Sequence, residues 1–291
     1  MKNVCPKIIL GRTGFEVSRI AYGGIVSGNE RQEDSDRYVD YAIEHGVNYF
    51  DVAPSYGNAQ EILGNSLRSR RKDVYLACKT SEFRREAGSA QFSESFRLLH
   101  TDYFDVFQLH ALTTMEQLDQ AFAEDGIMNV LIEAKKDGRI RNLGFSAHNE
   151  DVALEALERY DFDTVLFPFT WSLNMTRETG RRLLEVAKAR NLGILALKAM
   201  ALRQWQQDEE RIEPKCWYKP IDIGNEELLI AAAGYSLSLG AHLFLPPGSY
   251  PYFKFAVDHS AQIVQAAMQA TPAAVLTDAL PDRDLHLFDR I

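Results

Sequence analysis

Residues 74–110 are VYLACKTSEFRREAGSAQFSESFRLLHTDYFDVFQLH, and this stretch decides the fold. Its ends, 74–79 and 106–109, are short apolar runs of strand length, and the segment between them has the length and spacing of a helix. Parallel strands joined by a crossover helix are buried on both faces, so they are continuous apolar runs rather than alternating ones. The stretch therefore predicts one strand–helix–strand unit of a parallel sheet.

The same unit recurs along the whole chain. A hairpin-like segment, 7–17 with a turn at Gly14, comes first, and eight apolar runs follow, each succeeded by a helical segment. The eight runs are 20–22, 49–52, 74–79, 106–109, 140–146, 164–167, 193–198 and 242–245. Eight such units close into a barrel. We therefore predict an α/β fold, a (β/α)8 TIM barrel with an N-terminal β-hairpin, in a single domain over residues 1–291. A doubly wound sheet with a second domain is the alternative fold.

Composition limits the classes of function. Lys and Arg number 32 against 41 Asp and Glu, and the formal net charge of −9 disfavours nucleic acid or an anionic membrane as a partner. Cys5, Cys78 and Cys216 stand at irregular spacings that match neither a disulfide framework nor a zinc motif, so we predict no metal site. The N-terminus has no secretory signal pattern, and we predict a cytoplasmic location. Neither a P-loop nor G-x-G-x-x-G follows any strand.

Polar residues follow three consecutive predicted strands. Asp51 ends the second strand with Tyr56 shortly after it, Lys79 ends the third strand, and His110 ends the fourth. The carboxyl ends of barrel strands form one rim, where barrel enzymes hold their active sites. We therefore expect a carboxylate, a phenol, an ammonium and an imidazole to lie together there.

These four groups suit proton transfer to a carbonyl oxygen. Asp51 can pair with Lys79, and we expect the lysine charge to lower the pKa of Tyr56. The phenol would then protonate an oxygen that gains negative charge, while His110 orients the same oxygen. No side chain in this group delivers hydride, so a redox reaction requires a cofactor such as a nicotinamide dinucleotide. The Asp51–Lys79 pair alone is also compatible with a purely structural ion pair.

Other residues near the same rim have two interpretations. The long segment 201–224 contains Trp205 and Trp217, and Trp171 follows the sixth strand, so we predict that these tryptophans contact substrate; the alternative is that they are core or surface aromatics. Segment 201–224 is also the candidate lid. Lys198, at the end of the predicted seventh strand, is alternatively a Schiff-base lysine of the kind that barrel aldolases use.

Several motifs resemble the aldo-keto reductase superfamily. They are LGRTGFEVS at 10–18, FDVAPSYG at 50–57 with Leu-Gly at 63–64, the strands that end at Lys79 and His110, and GRIRNLGFS at 138–146. They cover about the first half of the chain. The resemblance implies a (β/α)8 barrel that reduces a small aldehyde or ketone to an alcohol with NAD(P)H. It also implies a tetrad of Asp51, Tyr56, Lys79 and His110, with Tyr56 as the proton donor.

The resemblance also implies a set of cofactor contacts. They are Gly24, Ser146, His148, Lys198, Pro247, Gly248 and Ser249. NADP(H) is favoured over NAD(H), although Tyr252 and Phe253 stand where a basic residue usually grips the 2′-phosphate. Leu166 likewise stands where a glutamine is usual. These departures leave open a nucleotide-sensing or regulatory module with little or no catalysis, because fold does not determine function.

Overall fold

An antiparallel hairpin opens the chain. The computed structural model describes residues 4–269 and 274–281. Strands β1 (Lys7–Ile9) and β2 (Glu16–Ser18) pair through a 3-10 turn that ends at Gly14. The φ of Gly14 is +72°, a left-handed conformation that favours glycine. The predicted hairpin and its turn are confirmed.

Eight of the ten remaining strands in the described residues form a closed parallel barrel. In chain order the ten strands are β3 (Tyr22–Gly23), β4 (Tyr49–Asp51), β5 (Tyr75–Thr80), β6 (Phe104–Leu112), β7 (Ile140–Ala147), β8 (Thr164–Phe167), β9 (Gly193–Ala196), β10 (Ala201–Arg203), β11 (Lys219–Pro220) and β12 (Leu243–Phe244). β10 and β11 form a separate antiparallel pair, and the other eight form one sheet of parallel neighbours from β3 to β12. Ile20 bridges Phe244 in parallel, so the two ends of the sheet meet. The predicted (β/α)8 barrel is confirmed.

Helices cover the outside of the barrel. They are α1 (Gln32–Glu44), α2 (Ala59–Leu67), α3 (Arg85–Leu98), α4 (Met115–Phe122), α5 (Met128–Lys136), α6 (Glu150–Arg159), α7 (Trp171–Arg177), α8 (Arg181–Ala189), α9 (Glu226–Ser238), α10 (Tyr250–Asp258), α11 (Ser260–Ala267) and α12 (Ala274–Asp278). None of the helices within the described ranges is long and apolar enough to cross a membrane.

Alternation along the strands separates two apolar layers. Tyr49, Ala77 and Val106 pack together inside the barrel. Phe50 and Phe107, one residue further along β4 and β6, belong to the cluster under the helices. Because successive strand side chains point to opposite faces, residues two or four positions beyond the interior ones also point inward. This register directs the polar residues near the strand ends into the barrel.

The N-terminal hairpin closes the opposite end of the barrel. Leu10 and Val17 are buried in the interior cluster, and the ring of Phe15 stacks on that of Tyr75 with centroids 4.4 Å apart. Tyr75 is the first residue of β5, so this contact lies at the amino ends of the strands. The polar residues near the strand ends therefore lie at the other, carboxyl end of the barrel.

The carboxyl ends of two strands differ from the predicted boundaries by more than one residue. The strand predicted at 106–109 continues to Leu112 through an irregularity of register, and the strand predicted at 193–198 stops at Ala196. Both ends contain a residue with positive φ, Ala111 at +55° and Lys198 at +60°. The predicted domain, 1–291, includes residues 1–3, 270–273 and 282–291, which lie outside the described residues, and its extent stays a prediction.

Candidate active site

A buried ion pair lies at the carboxyl ends of β4 and β5. Lys79 Nζ donates to Asp51 Oδ2 at 2.5 Å and to the carbonyl oxygen of Val52 at 3.3 Å. The amide of Gln108 donates to the other carboxylate oxygen, Oδ1, at 3.1 Å. Asp51, Lys79 and Gln108 are each at most 1% exposed. A buried charge pair is tolerated only with such compensation, and here both carboxylate oxygens have a donor.

Burial and pairing act in opposite directions on this pair. Burial raises the pKa of Asp51, and the ammonium of Lys79 opposes that rise. Burial also lowers the pKa of Lys79, but attraction by Asp51, Tyr56 and the hydrogen bond outweighs this effect, and the net shift is upward. The lysine therefore stays an ammonium at neutral pH.

Tyr56 lies against this lysine, in the loop after β4. Lys79 Nζ is 5.5 Å from the centroid of the Tyr56 ring. Burial raises the pKa of Tyr56 above its usual value of 10, and the charge of Lys79 offsets this only in part. The expectation of a lowered pKa is therefore wrong, because desolvation of the phenolate outweighs the attraction. At neutral pH the phenol keeps its proton, which is the form a proton donor requires.

His110 faces Tyr56 from β6. The two ring centroids are 5.9 Å apart and the rings are nearly perpendicular, at 82°. Burial, followed by repulsion from Lys79, lowers the pKa of His110 to about 3. The imidazole is therefore neutral at physiological pH and can donate one N–H. The register irregularity of β6 comes immediately after His110 in the chain. There the amide of Ala111 donates to Ser146 Oγ at 2.7 Å.

These side chains meet at one cavity of about 330 Å³. Tyr56, Lys79 and His110 line it, with Asp51 directly behind Lys79. Its other lining residues are Gly23, Ile25, Ser55, Ser146, His148, Leu166, Leu197, Lys198, Lys215, Cys216, Trp217, Tyr218, Leu245, Pro246 and Gly248. The structure thus brings the four predicted catalytic residues together at the rim.

One wall of the cavity is the segment 215–218, which lies between β10 and β11. Lys215 pairs with Glu30 and donates to the carbonyl oxygen of Val26 at 3.0 Å. The carbonyl oxygen of Lys215 would lie only 2.8 Å from a Cβ at Gly248, so a glycine is needed there for the segment to pass. The ring of Trp217 lies 5.6 Å from that of Tyr56. Part of the segment 201–224 therefore forms a wall of the cavity.

Two further basic residues line the cavity on the side of β7 and β9. Burial lowers the pKa of Lys198 to about 7. Burial, with repulsion from Lys198 and His110, lowers the pKa of His148 to about 3. Among the residues described in 4–269 and 274–281, no group of three or more His, Cys, Asp or Glu side chains is arranged to hold a metal ion.

Two predicted substrate contacts do not reach this cavity. Trp171 is fully buried at the start of α7, where its indole donates to the carbonyl oxygen of Ala201 at 3.2 Å. Trp205 donates to the carbonyl oxygen of Cys216 at 2.9 Å and braces the segment from behind. Neither tryptophan lines the cavity; Trp205 instead bonds to Cys216, which does line it, and Trp171 packs in the core. Trp217, which is 60% exposed, does line it.

Three of the predicted cofactor residues lie beside the cavity rather than in its wall. They are Gly24, Pro247 and Ser249. A Cβ at Gly24 would lie 2.7 Å from the Val52 side chain, so this glycine serves close packing between the first two barrel loops. Ser249 is the N-cap of α10, and its Oγ is buried with no hydrogen-bond partner among the described residues. The roles of all three stay predictions.

The sequence reasoning missed Gln108 and Lys215. Gln108 stands two residues before His110, so the strand period alone predicts that it faces the interior beside Lys79. Lys215 gives no such signal, because its partner Glu30 is 185 residues away in sequence. Only the folded chain shows that contact.

The fold and the site together define a class of protein. A closed (β/α)8 barrel with a cavity at the carboxyl ends of its strands is the architecture of barrel enzymes. The family profile for the aldo/keto reductase family matches residues 19–232. The match covers more than two thirds of the chain, and the chain belongs to the aldo-keto reductase family of oxidoreductases.

Sequence relatives are distant and match in part. L-galactose dehydrogenase of Arabidopsis thaliana is 27% identical over 209 residues, 66% of this chain and 65% of that protein. YqkF of Bacillus subtilis, named an uncharacterized oxidoreductase, is 28% identical over 176 residues, 55% of each chain. The aldo-keto reductase YhdN of the same organism is 32% identical over 153 residues, 46% of this chain and 44% of that protein. Each match spans less than two thirds of the relative's own length.

Solved structures match over nearly the whole chain. An aldo-keto reductase from Klebsiella pneumoniae in complex with NADPH has a TM-score of 0.71 at 19% identity, covering 99% of this chain and 100% of that one. The holo form of aldo-keto reductase AKR11C1 from Bacillus halodurans has a TM-score of 0.64 at 20% identity, covering 95% of both chains. At these identities the likeness shows the shared fold.

Proposed function

We propose that this protein is an NAD(P)H-dependent reductase that converts a small aldehyde or ketone into an alcohol, with Tyr56 as the proton donor. The observation that carries the proposal is the convergence of Tyr56, His110 and the Asp51–Lys79 pair on one cavity. Family membership supports the reaction class.

Each side chain has a separate task in this proposal. The Tyr56 phenol keeps its proton until a carbonyl oxygen gains negative charge, and then transfers it. The ammonium of Lys79, 5.5 Å from that ring, stabilises the phenolate left behind. Asp51 and Gln108 hold the ammonium in place. Neutral His110 donates a hydrogen bond to the same carbonyl oxygen, and Trp217 contacts the remainder of the substrate.

The residues around the cavity fit a nicotinamide dinucleotide. When bound, the reduced nicotinamide supplies the hydride that no side chain in the cavity can supply. The buried Ser249 Oγ without a partner lies at the start of the nine-residue helix α10, and helix N-termini favour phosphate oxygens. We propose that the dinucleotide is held by Gly24, Ser146, His148, Lys198, Pro247, Gly248 and Ser249. NADP(H) is the preferred form, and the NADPH complex of the Klebsiella neighbour supports this choice.

The test is aldehyde-dependent consumption of NADPH by the wild type and by Tyr56→Phe. We expect kcat to fall roughly 100-fold or more in the variant, because general acid catalysis contributes about that much. Binding of the dinucleotide, measured separately, should be nearly unchanged. Tyr218→Phe removes another buried hydroxyl from the same cavity, and its turnover should stay within the same order of magnitude as the wild type.

If Tyr56→Phe turned over as fast as the wild type, the assignment of Tyr56 as the proton donor would be contradicted. Binding of dinucleotide by the wild type without reduction of any aldehyde or ketone tested would favour the regulatory module instead. The observation that favours this regulatory function is Leu166, which lines the cavity at a position where a glutamine is usual in the family.

A further inference from the structure

Loop 24–30, which follows β3, joins separate parts of the cavity wall. The side chain of Ile25 lines the cavity, and its Cγ2 would lie 3.0 Å from a Cβ at Gly248. The carbonyl oxygen of Val26 accepts a hydrogen bond from Lys215 Nζ at 3.0 Å. The loop is therefore one part of the wall and also a support for two others.

A chain of buried hydroxyl groups holds this loop against the strands and helices behind it. Ser27 Oγ lies 2.7 Å from the hydroxyl oxygen of Tyr22 on β3, and it accepts from Ser35 Oγ on α1 at 2.8 Å. Ser35 Oγ also lies 3.0 Å from Ser66 Oγ on α2. Tyr22, Ser27 and Ser35 are each 0% exposed. One loop serine is thus tied to a strand and, through Ser35, to two helices.

Both ends of the hydroxyl chain are themselves fixed. The Tyr22 ring stacks on Phe50 with centroids 5.0 Å apart and meets the edge of Phe253 at 4.9 Å. At the other end, Ser66 Oγ donates to the carboxylate of Asp36 at 2.7 Å. A buried polar network with its groups satisfied makes the structure around it rigid, because each bond sets a distance and a direction. The chain therefore sets the position of the loop.

We propose that Ser27 and Ser35 are positioning residues for the dinucleotide. Through their hydrogen bond they fix loop 24–30, and the loop holds Gly24 and the contact to Lys215 in the arrangement that receives the cofactor. A binding loop that is already ordered raises affinity, because less conformational freedom is lost on binding. The inference rests on the proposed function for the identity of the bound molecule, whereas the hold on the loop is independent of it.

The test compares Ser35→Ala with the wild type. Without nucleotide, amide hydrogen exchange across 24–30 should speed up about fivefold or more, and the Kd for NADPH should rise by about the same factor, because a buried hydrogen bond to the loop is lost. At saturating NADPH, kcat should stay within about twofold, since Tyr56 and Lys79 keep their contacts. A serine that only stabilised the fold would not separate Kd from kcat in this way.

Ser236→Ala is the matched control. Ser236 is also a helix serine with 0% exposure, but its hydroxyl donates to the carbonyl oxygen of Ala232 within α9. This variant should keep the wild-type Kd and the wild-type exchange across 24–30. Tyr22→Phe retains the ring and removes the other hydroxyl contact of Ser27, so it should behave like Ser35→Ala and replaces that variant if it does not fold.

Three results would overturn the inference. They are unchanged exchange across 24–30 in the folded variants, faster exchange with an unchanged Kd, and an equal rise of Kd in Ser236→Ala. A wild type that binds no NADPH would contradict the proposed function, and the exchange rates would then still decide whether Ser27 and Ser35 hold the loop.

Discussion

At the scale of single residues, the chemistry depends on which groups are charged when they are buried. Burial and the charge of Lys79 lower the pKa of His110 to about 3. His110 therefore stays neutral at pH ~6.5, at which an exposed imidazole is half protonated. Tyr56 keeps its proton for the same reason, since burial disfavours its phenolate. Tyr56 and His110 are thus two neutral donors beside the ammonium of Lys79.

The neutral His110 predicts a specific pH dependence of stability. In the unfolded chain the imidazole takes up a proton near pH ~6.5, whereas in the folded chain it does so only near pH 3. The unfolded state therefore binds more protons in this window, and stability falls as the pH drops from about 6.5 towards 3. Between pH 7 and pH 5, His110 accounts for a loss of about 2 kcal/mol in the free energy of unfolding.

Urea unfolding at pH 7 and pH 5 checks this prediction. On going from pH 7 to pH 5, the free energy of unfolding of His110→Phe should fall by about 2 kcal/mol less than that of the wild type. Comparing the two proteins cancels the contribution of other groups such as His148. Equal losses in the two proteins would show that the imidazole is protonated in the folded state at pH 5.

At the scale of elements, the β10–β11 hairpin carries the cavity wall and depends on one carboxylate. Glu209 accepts two hydrogen bonds from Arg203 of β10, at 2.7 and 2.9 Å, and pairs with Lys219 of β11. These bonds lower the pKa of Glu209 to about 2. The carboxylate therefore ties both strands together down to acidic pH.

Glu209→Ala should loosen this wall without unfolding the barrel. We expect amide hydrogen exchange across 204–218 to speed up roughly tenfold or more, while exchange in the barrel strands stays the same. Glu210→Ala is the matched control, because the neighbouring Glu210 is exposed. Equal exchange rates in the two variants would mean that other contacts hold the segment.

The elements also show what can be predicted from the sequence. Strands such as β5 and β7 are predictable because burial on both faces makes them unbroken apolar runs. The irregularity at Ala111 and the left-handed turn at Lys198 are not, because no glycine marks either position. Trp171 looked like a pocket residue from its place after a strand, but only the packing of α7 shows that it is buried.

At the scale of the molecule, stability and chemistry lie at opposite ends of the barrel. Asp105, near the start of β6, is 1% exposed and accepts hydrogen bonds from Arg71 at 2.9 Å, Arg141 at 2.8 Å and the Leu76 amide at 2.9 Å. His110 is five residues further along the same strand, roughly 16 Å away. The network fastens β5, β6 and β7 at the end away from the cavity.

Asp105→Ala should therefore lower the free energy of unfolding and leave kcat nearly unchanged. The change leaves the largely buried Arg71 without its carboxylate, and we expect a loss of about 3–5 kcal/mol in the free energy of unfolding. Below the lowered unfolding transition, kcat should stay close to that of the wild type. Asp137→Ala, which breaks an exposed ion pair with Arg139, should cost less than about 1 kcal/mol. A large loss of kcat in folded Asp105→Ala would contradict this separation.

The whole molecule also explains why the site was only partly predictable. The shared location of Asp51, Lys79 and His110 follows from strand order, since the carboxyl ends of parallel strands share one rim. The pKa of Tyr56 does not, because the sequence does not show how completely its ring is desolvated. The contact of Lys215 with Glu30 joins two distant loops and exists only in the closed barrel.

The most direct measurement is a fluorescence titration of the protein with NADPH and, separately, with NADH. Trp217 lies at the cavity wall, 5.6 Å from the ring of Tyr56, and reports occupation without any choice of substrate. We predict saturable quenching at micromolar NADPH, weaker binding of NADH, and a reduced signal in Trp217→Phe. An absence of saturable binding of either dinucleotide up to millimolar concentration would contradict the proposal that this cavity serves a nicotinamide-dependent reductase.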